Sequence, residues 1–188
     1  MRRTAQGALL ALLFLAAGCG QHVAYLSIHD PRLPPSAQKW VADAEDQVAV
    51  ATAWLDEATA TLAAVQAWRA SVGSLEWPGG PLAELTQMAD KRVELARLEH
   101  ARAQAELRLS MERRKLVNAE TAMRYDLGVY DLTPLRKETE RLRTEARKLD
   151  DAIEEARRAL EETTTAWWKA FRAYVAGGGK TEVLWIQL

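Results

Sequence analysis

From residue 37 to residue 176 the apolar residues recur every three or four positions. Two short Gly- and Pro-bearing breaks divide this pattern into three long helical segments. The first is predicted over 37–72, with Ser36 as its N-cap. Val41, Val48, Leu55 and Leu62 repeat every seven residues, and so do Ala44, Ala51, Ala58, Val65 and Val72. Trp40, Trp54 and Trp68 flank the first row at intervals of fourteen. Twelve of these 36 residues are Ala, which lets a neighbouring helix approach closely along one edge of the stripe.

The break GSLEWPGG (73–80) precedes a second helix that opens with Pro81 at its first position and runs to about Asp126. Its stripe is Leu95, Leu98, Ala105, Leu109, Leu116, Ala119 and Met123, broken by Arg102 and Glu112. Gly128, in the break LGVYDLT, reads as its C-terminal residue. Thr133 then caps a third helix that opens at Pro134. That helix has the clearest period: Leu135, Thr139, Leu142, Ala146, Leu149, Ile153, Ala156, Leu160, Thr163, Trp167, Ala170 and Tyr174.

Short connections make sequential helices antiparallel neighbours. The expected fold is therefore all-α: a long antiparallel three-helix bundle, or a coiled-coil hairpin of helices two and three with helix one laid along it. At a rise of about 1.5 Å per residue the rod would be roughly 55–65 Å long. Helix one carries two basic and five acidic residues, helix two nine and eight, and helix three ten and nine. That balance suggests an acidic helix lying in the groove of two mildly basic ones.

The chain before the bundle is different in kind. Met1-Arg2-Arg3 is basic, and Ala8 to Ala17 is an uncharged apolar run of ten residues. Such a run covers about 15 Å, half of a ~30 Å hydrocarbon core, so it reads as a secretory signal rather than a span. Leu15-Ala16-Ala17-Gly18 then leads into Cys19, the only Cys of the chain. This resembles the lipobox of bacterial lipoprotein signal peptides, with Ala16 where Leu is usual. The resemblance implies lipidation of Cys19 as the first residue of the mature chain. Gly20, rather than Asp, then implies an outer-membrane, periplasm-facing location. Acylation also consumes a lone thiol that would be a liability in an oxidising compartment. Losing Arg2 and Arg3 leaves 23 basic against 26 acidic residues over 170, so a polybasic patch is not the anchor. The expected organisation is a signal peptide (1–18), a lipidated tether (19–36), the helical domain (37–176), and a Gly hinge with a short apolar tail (177–188). The tether holds three Pro, though Val23, Tyr25, Leu26 and Ile28 are apolar enough for part of it to pack back.

Alternating helix directions would gather Trp68, Trp77, Leu82, Leu85, Trp167, Trp168, Phe171 and Tyr174 at the pole far from the lipid. The tail residues Val183, Leu184, Trp185 and Ile186 would join them. The plain reading is an apolar plug closing the bundle. The sharper one is a partner-binding head using Trp68, Trp77, Trp167, Trp168 and Trp185, since clustered Trp is typical of interface anchors. Trp167 and Trp168 are adjacent, about 100° apart, and cannot both face one seam.

No other motif carries chemistry. Gly179-Lys180-Thr181 resembles the end of a phosphate-binding loop, but Tyr174 stands where that loop needs Gly. His100 has no second His at metal spacing, and Arg113-Arg114-Lys115 reads as a solvated face. A net charge of −1 argues against nucleic acid as a partner, and one Cys with three His argues against a metal or other cofactor. No residues suggest catalysis. The expected function is a non-enzymatic interaction or scaffold element of the cell envelope, binding a protein partner or itself. One alternative is an adaptor for an export machine, although no Arg here has Leu four residues later, as adaptor hairpin tips do. A periplasmic small-ligand carrier is the other.

Overall fold

The computed structural model describes residues 25–180. It contains three helices, α1 (Pro35–Gly73), α2 (Leu82–Arg124) and α3 (Leu132–Ala176). The fold is all-α, as the periodicity predicts, and at ~1.5 Å per residue each helix is about 60–70 Å long. Residues 1–24, which hold the expected signal peptide and Cys19, and the tail from 181 onward, Trp185 included, lie outside the described residues.

The helix ends follow backbone chemistry more closely than the expected caps did. Ser36 is not the N-cap of α1: Pro34 holds that place and Pro35 the first turn, with no side-chain cap. Proline there presets φ and lacks only an N–H that would have had no intrahelical acceptor. Pro81 likewise stands one residue before the helix that opens at Leu82. At α3 the cap is Asp131, not Thr133, because its carboxylate accepts the Thr133 backbone N–H at 2.9 Å. A charged acceptor at a helix N-terminus is favoured over a hydroxyl. Gly128 does not terminate α2. Asp126 takes the left-handed conformation (φ 55°). The N–H groups of Leu127 and Asp126 then donate back to the carbonyls of Ala122 and Met123, a Schellman ending. Gly178 (φ 84°) makes the same ending for α3, so Gly177–Gly179 is a structured helix stop.

The order of packing is specific. α1 and α3 each lie along α2, yet nowhere do Cα atoms of α1 and α3 approach within 8 Å. The middle helix therefore needs two buried faces. Ala89, Ala96, Ala103 and Ser110, seven residues apart, are buried along it, in phase with Ala37, Ala44, Ala51 and Ala58 of α1. The stripe read from the sequence is the other face. Ala105, Leu109 and Ala119 are buried, Leu95, Leu98 and Leu116 half-buried, and only Met123 is exposed. All twelve periodic positions of α3 are buried or half-buried. α1 thus does not settle into a groove between the other two. Between these two faces α2 carries Glu99, Glu106 and Arg113, with Arg102 at the edge of the α3 seam, and these have nothing apolar to offer a closing helix.

Arginines of α2 reach across to tryptophans of α1. Arg124 lies over Trp40 at 5.1 Å, Arg102 over Trp54 at 5.4 Å and Arg92 over Trp68 at 5.3 Å. Rising numbers in one helix meet falling numbers in the other, so these stacks help fix the antiparallel register. Each contributes about 0.5–1 kcal/mol, more where water is excluded. Arg102 does most. Its side chain is 16% exposed, and it donates to Asp150 of α3 at 2.6 Å and to Glu106 at 2.8 Å while stacking on α1. Arg102 is thereby linked to all three helices at mid-rod.

Replacing Arg102 with Ala removes the stack and both ion pairs and is expected to destabilise the fold by about 1–3 kcal/mol. Arg147→Ala, on an exposed side chain with no ion pair among the described residues, should change stability by less than about 0.5 kcal/mol. Urea titration of the two variants checks the contrast.

Candidate functional site

The two poles of the rod differ in chemistry. At the far pole the α1–α2 connection is a tight turn. The Gly80 N–H donates to the Trp77 carbonyl at 3.1 Å, with Pro78 and Gly79 (φ 71°) between, as in a type II turn. Trp77 folds back over Gly80 so closely that a Cβ there would stand 2.3 Å from the indole. Its ring meets Tyr174 edge-on at 5.4 Å and Phe171 at 6.2 Å, while Trp167 stacks on Phe171 at 5.5 Å. Val72, Leu85, Met88 and Ala89 complete the cluster, with Trp68, Leu75, Leu82 and Leu160 around it.

Of the predicted gathering, Trp68, Trp77, Trp167, Trp168, Phe171 and Tyr174 are together at this pole, and the tail residues Val183 to Ile186 lie outside the described residues. Trp77 and Trp167 are 5% and 1% exposed and act as core, whereas Trp168 is 41% exposed. Trp68 is half-buried beneath Arg92. The indole N–H groups of Trp68, Trp77 and Trp167 are buried without an acceptor among the described residues. Each costs roughly 1–3 kcal/mol, so apolar burial must outweigh them. Trp168, Phe171 and Val175 share one face of the last two turns of α3. Trp168 and Val175 are exposed there, forming an apolar strip beside the plug.

At the near pole, residues 25–34 pack against the ends of α1 and α2, which the three Pro of the tether concealed. Asn118, fully buried, accepts the Leu26 N–H at 2.7 Å and donates to the Arg114 carbonyl at 2.8 Å. Arg114 lies over the Tyr25 ring at 4.6 Å and donates to Glu45 at 2.8 Å, so the run 113–115 is not simply a solvated face. Leu33, Ala37 and Val41 form a small core with Leu26, Tyr125 and Leu127. Arg32 donates two side-chain hydrogen bonds and its backbone N–H to Asp30, holding that carboxyl at about 2. The one sequence signal for this fold-back was the apolar character of Tyr25, Leu26 and Ile28.

Between the poles, a groove of about 540 Å³ runs over α2 between the outer helices. Its floor includes Ala58, Ala96 and Ile153, and Trp54, Glu99, Arg102, Asp150 and Arg157 line its sides. Arg102–Asp150 and Arg157–Glu99 pair across it. Among the described residues no three His, Asp, Glu or Cys side chains converge as a metal site would require.

Two outcomes test the poles. Trp167→Ala should cost about 3–5 kcal/mol in urea unfolding, and Trp168→Ala about 1 kcal/mol. Asp30 has a lowered pKa, so its contribution is complete above the ordinary carboxylate range and disappears as pH falls toward 2. Amide NMR signals of residues 26–33 should shift between about pH 4 and 2, and Asp30→Asn should abolish that titration. Compared with known protein families, curated proteins and solved structures, the chain matches none.

Proposed function

We propose that this protein is a lipid-anchored lipoprotein of the bacterial envelope. It serves as a non-enzymatic coiled-coil element that presents a partner-binding surface to the periplasm. The observation that carries this reading is the separation of two features along one rod. The chain that leads back to Cys19 joins at the near pole, while the exposed strip of Trp168 and Val175 lies at the far pole. With α2 alone about 65 Å long, an acyl anchor at Cys19 would carry that strip well away from the bilayer. Two or more acyl chains hold a protein stably where one does not. The ion-paired groove walls favour contact surfaces over an enclosed ligand pocket, since small-molecule sites are concave and mostly apolar. The partner is a protein offering an apolar face to the Trp168 strip.

Cys19→Ser should abolish acyl incorporation, seen by intact mass, and release the protein from membranes into the soluble periplasmic fraction. Retention of membrane binding by Cys19→Ser contradicts the anchor. A photo-crosslinking residue at 168 should give defined adducts in cells and one at 144 none. Absence of adducts at 168 contradicts the partner surface.

A further inference from the structure

The near pole is unusually apolar for a surface next to a tether. Half of the exposed large apolar side chains among the described residues are there: Tyr25, Ile28, Trp40, Met123 and Val129. Val129, at the tip of the α2–α3 connection, is 92% exposed, and Tyr125 and Tyr130 flank it half-buried. Three of the chain's four Tyr therefore sit at this end. Tyr and Trp have an apolar body and a polar tip, which suits the boundary between headgroups and acyl chains.

The length of the tether decides what this pole meets. Five residues lie between Cys19 and Tyr25, and the six Cα–Cα steps span at most about 20 Å when fully extended. Tyr25 is not at the tip. It is pinned beside Arg114, ten residues before the end of α2, which places it about 15 Å back along the rod. A fully stretched tether therefore carries Cys19 little farther than the level of Val129.

We propose that the α2–α3 connection docks in the bilayer surface, with Val129 entering the headgroup–acyl boundary and the rod standing on this pole. This rests on acylation of Cys19, because the short tether then leaves an upright body no gap from the membrane. The pole carries no excess of basic charge. Arg32 is paired with Asp30 and Arg136 with Glu120, while Arg124 lies over Trp40. Asp126 and Asp131, both exposed, flank Val129, so the contact is made by the apolar side chains and is not weakened by salt, unlike a polybasic one. The competing geometry is a rod lying on α1, the one described helix long and apolar enough to cross a membrane by length and composition. Its outer face exposes Val50.

The test uses the full acylated protein in phosphatidylethanolamine–phosphatidylglycerol vesicles. Acylation consumes the native thiol, so Val129→Cys and Val50→Cys each offer one site for an environment-sensitive fluorophore. The expected result is a blue-shifted emission and severalfold weaker quenching by aqueous iodide at 129, unchanged by added salt, with the label at 50 fully quenched. A protein that floats with the vesicles while its 129 label stays fully quenched overturns the docking and leaves the anchor standing. A label protected at 50 and quenched at 129 overturns it in favour of a recumbent rod. A protein that fails to float and shows no acyl mass on Cys19 overturns both.

Discussion

A helix between two neighbours must be apolar on two faces at once, and that demand on α2 shapes the rest of the molecule. One face is built almost wholly from small residues and takes the Ala-rich side of α1. The other uses Leu and Ala against the single stripe of α3. What remains of its circumference is charged, so the outer helices have no common surface on which to close over it. The rod is consequently two helical pairs that share a member, joined at mid-height through Arg102 and at one end through the aromatic plug. A shallow seam of Ala buries little apolar area per turn, near 25 cal/mol per Å² at best, so the Arg–Trp stacks supply register where shape alone would allow slippage.

The two ends answer different problems. The far end has to seal three helices where they stop. It does so with ring stacking organised by a Pro-Gly turn, at the cost of three indole N–H groups with no acceptor among the described residues. The near end has to receive an incoming chain. It uses hydrogen bonds and ion pairs centred on Asn118, Arg114 and Asp30 beside a small core of Leu33, Ala37 and Val41, and leaves Tyr25, Ile28, Trp40, Met123 and Val129 exposed. Under the proposed anchoring, the two ends would divide the work, the sealed one meeting a partner and the other meeting lipid.

Much of this architecture was legible in the residues. The twelve-position stripe of α3 translated directly into burial, because an outer helix has one seam and its period is undisturbed. The second face of α2 was harder to see. Ala89, Ala96 and Ala103 are apolar but small, and Ala occurs throughout the chain for helix propensity as well as packing. Arg102 read as a fault in the seam, since an arginine that satisfies two carboxylates and an indole from different helices leaves no local signature. Asp126 was passed over for Gly128 because Gly is the usual left-handed residue, although Asp tolerates that conformation through its short polar side chain. Of the candidate aromatics among the described residues, position along the chain identified the pole they share. Which one faces outward depended on the turn that folds Trp77 back and on the 100° step between Trp167 and Trp168.

The central claim is that α2 alone is held on two sides, and native-state hydrogen exchange across the whole protein addresses it most directly. The account predicts amides of α2 that exchange slowest from end to end. Those of α1 between residues 45 and 70, held on one side only, should open before global unfolding. Exchange in that stretch of α1 as slow as in α2 would contradict it, because some second surface would then have to cover the outer helix.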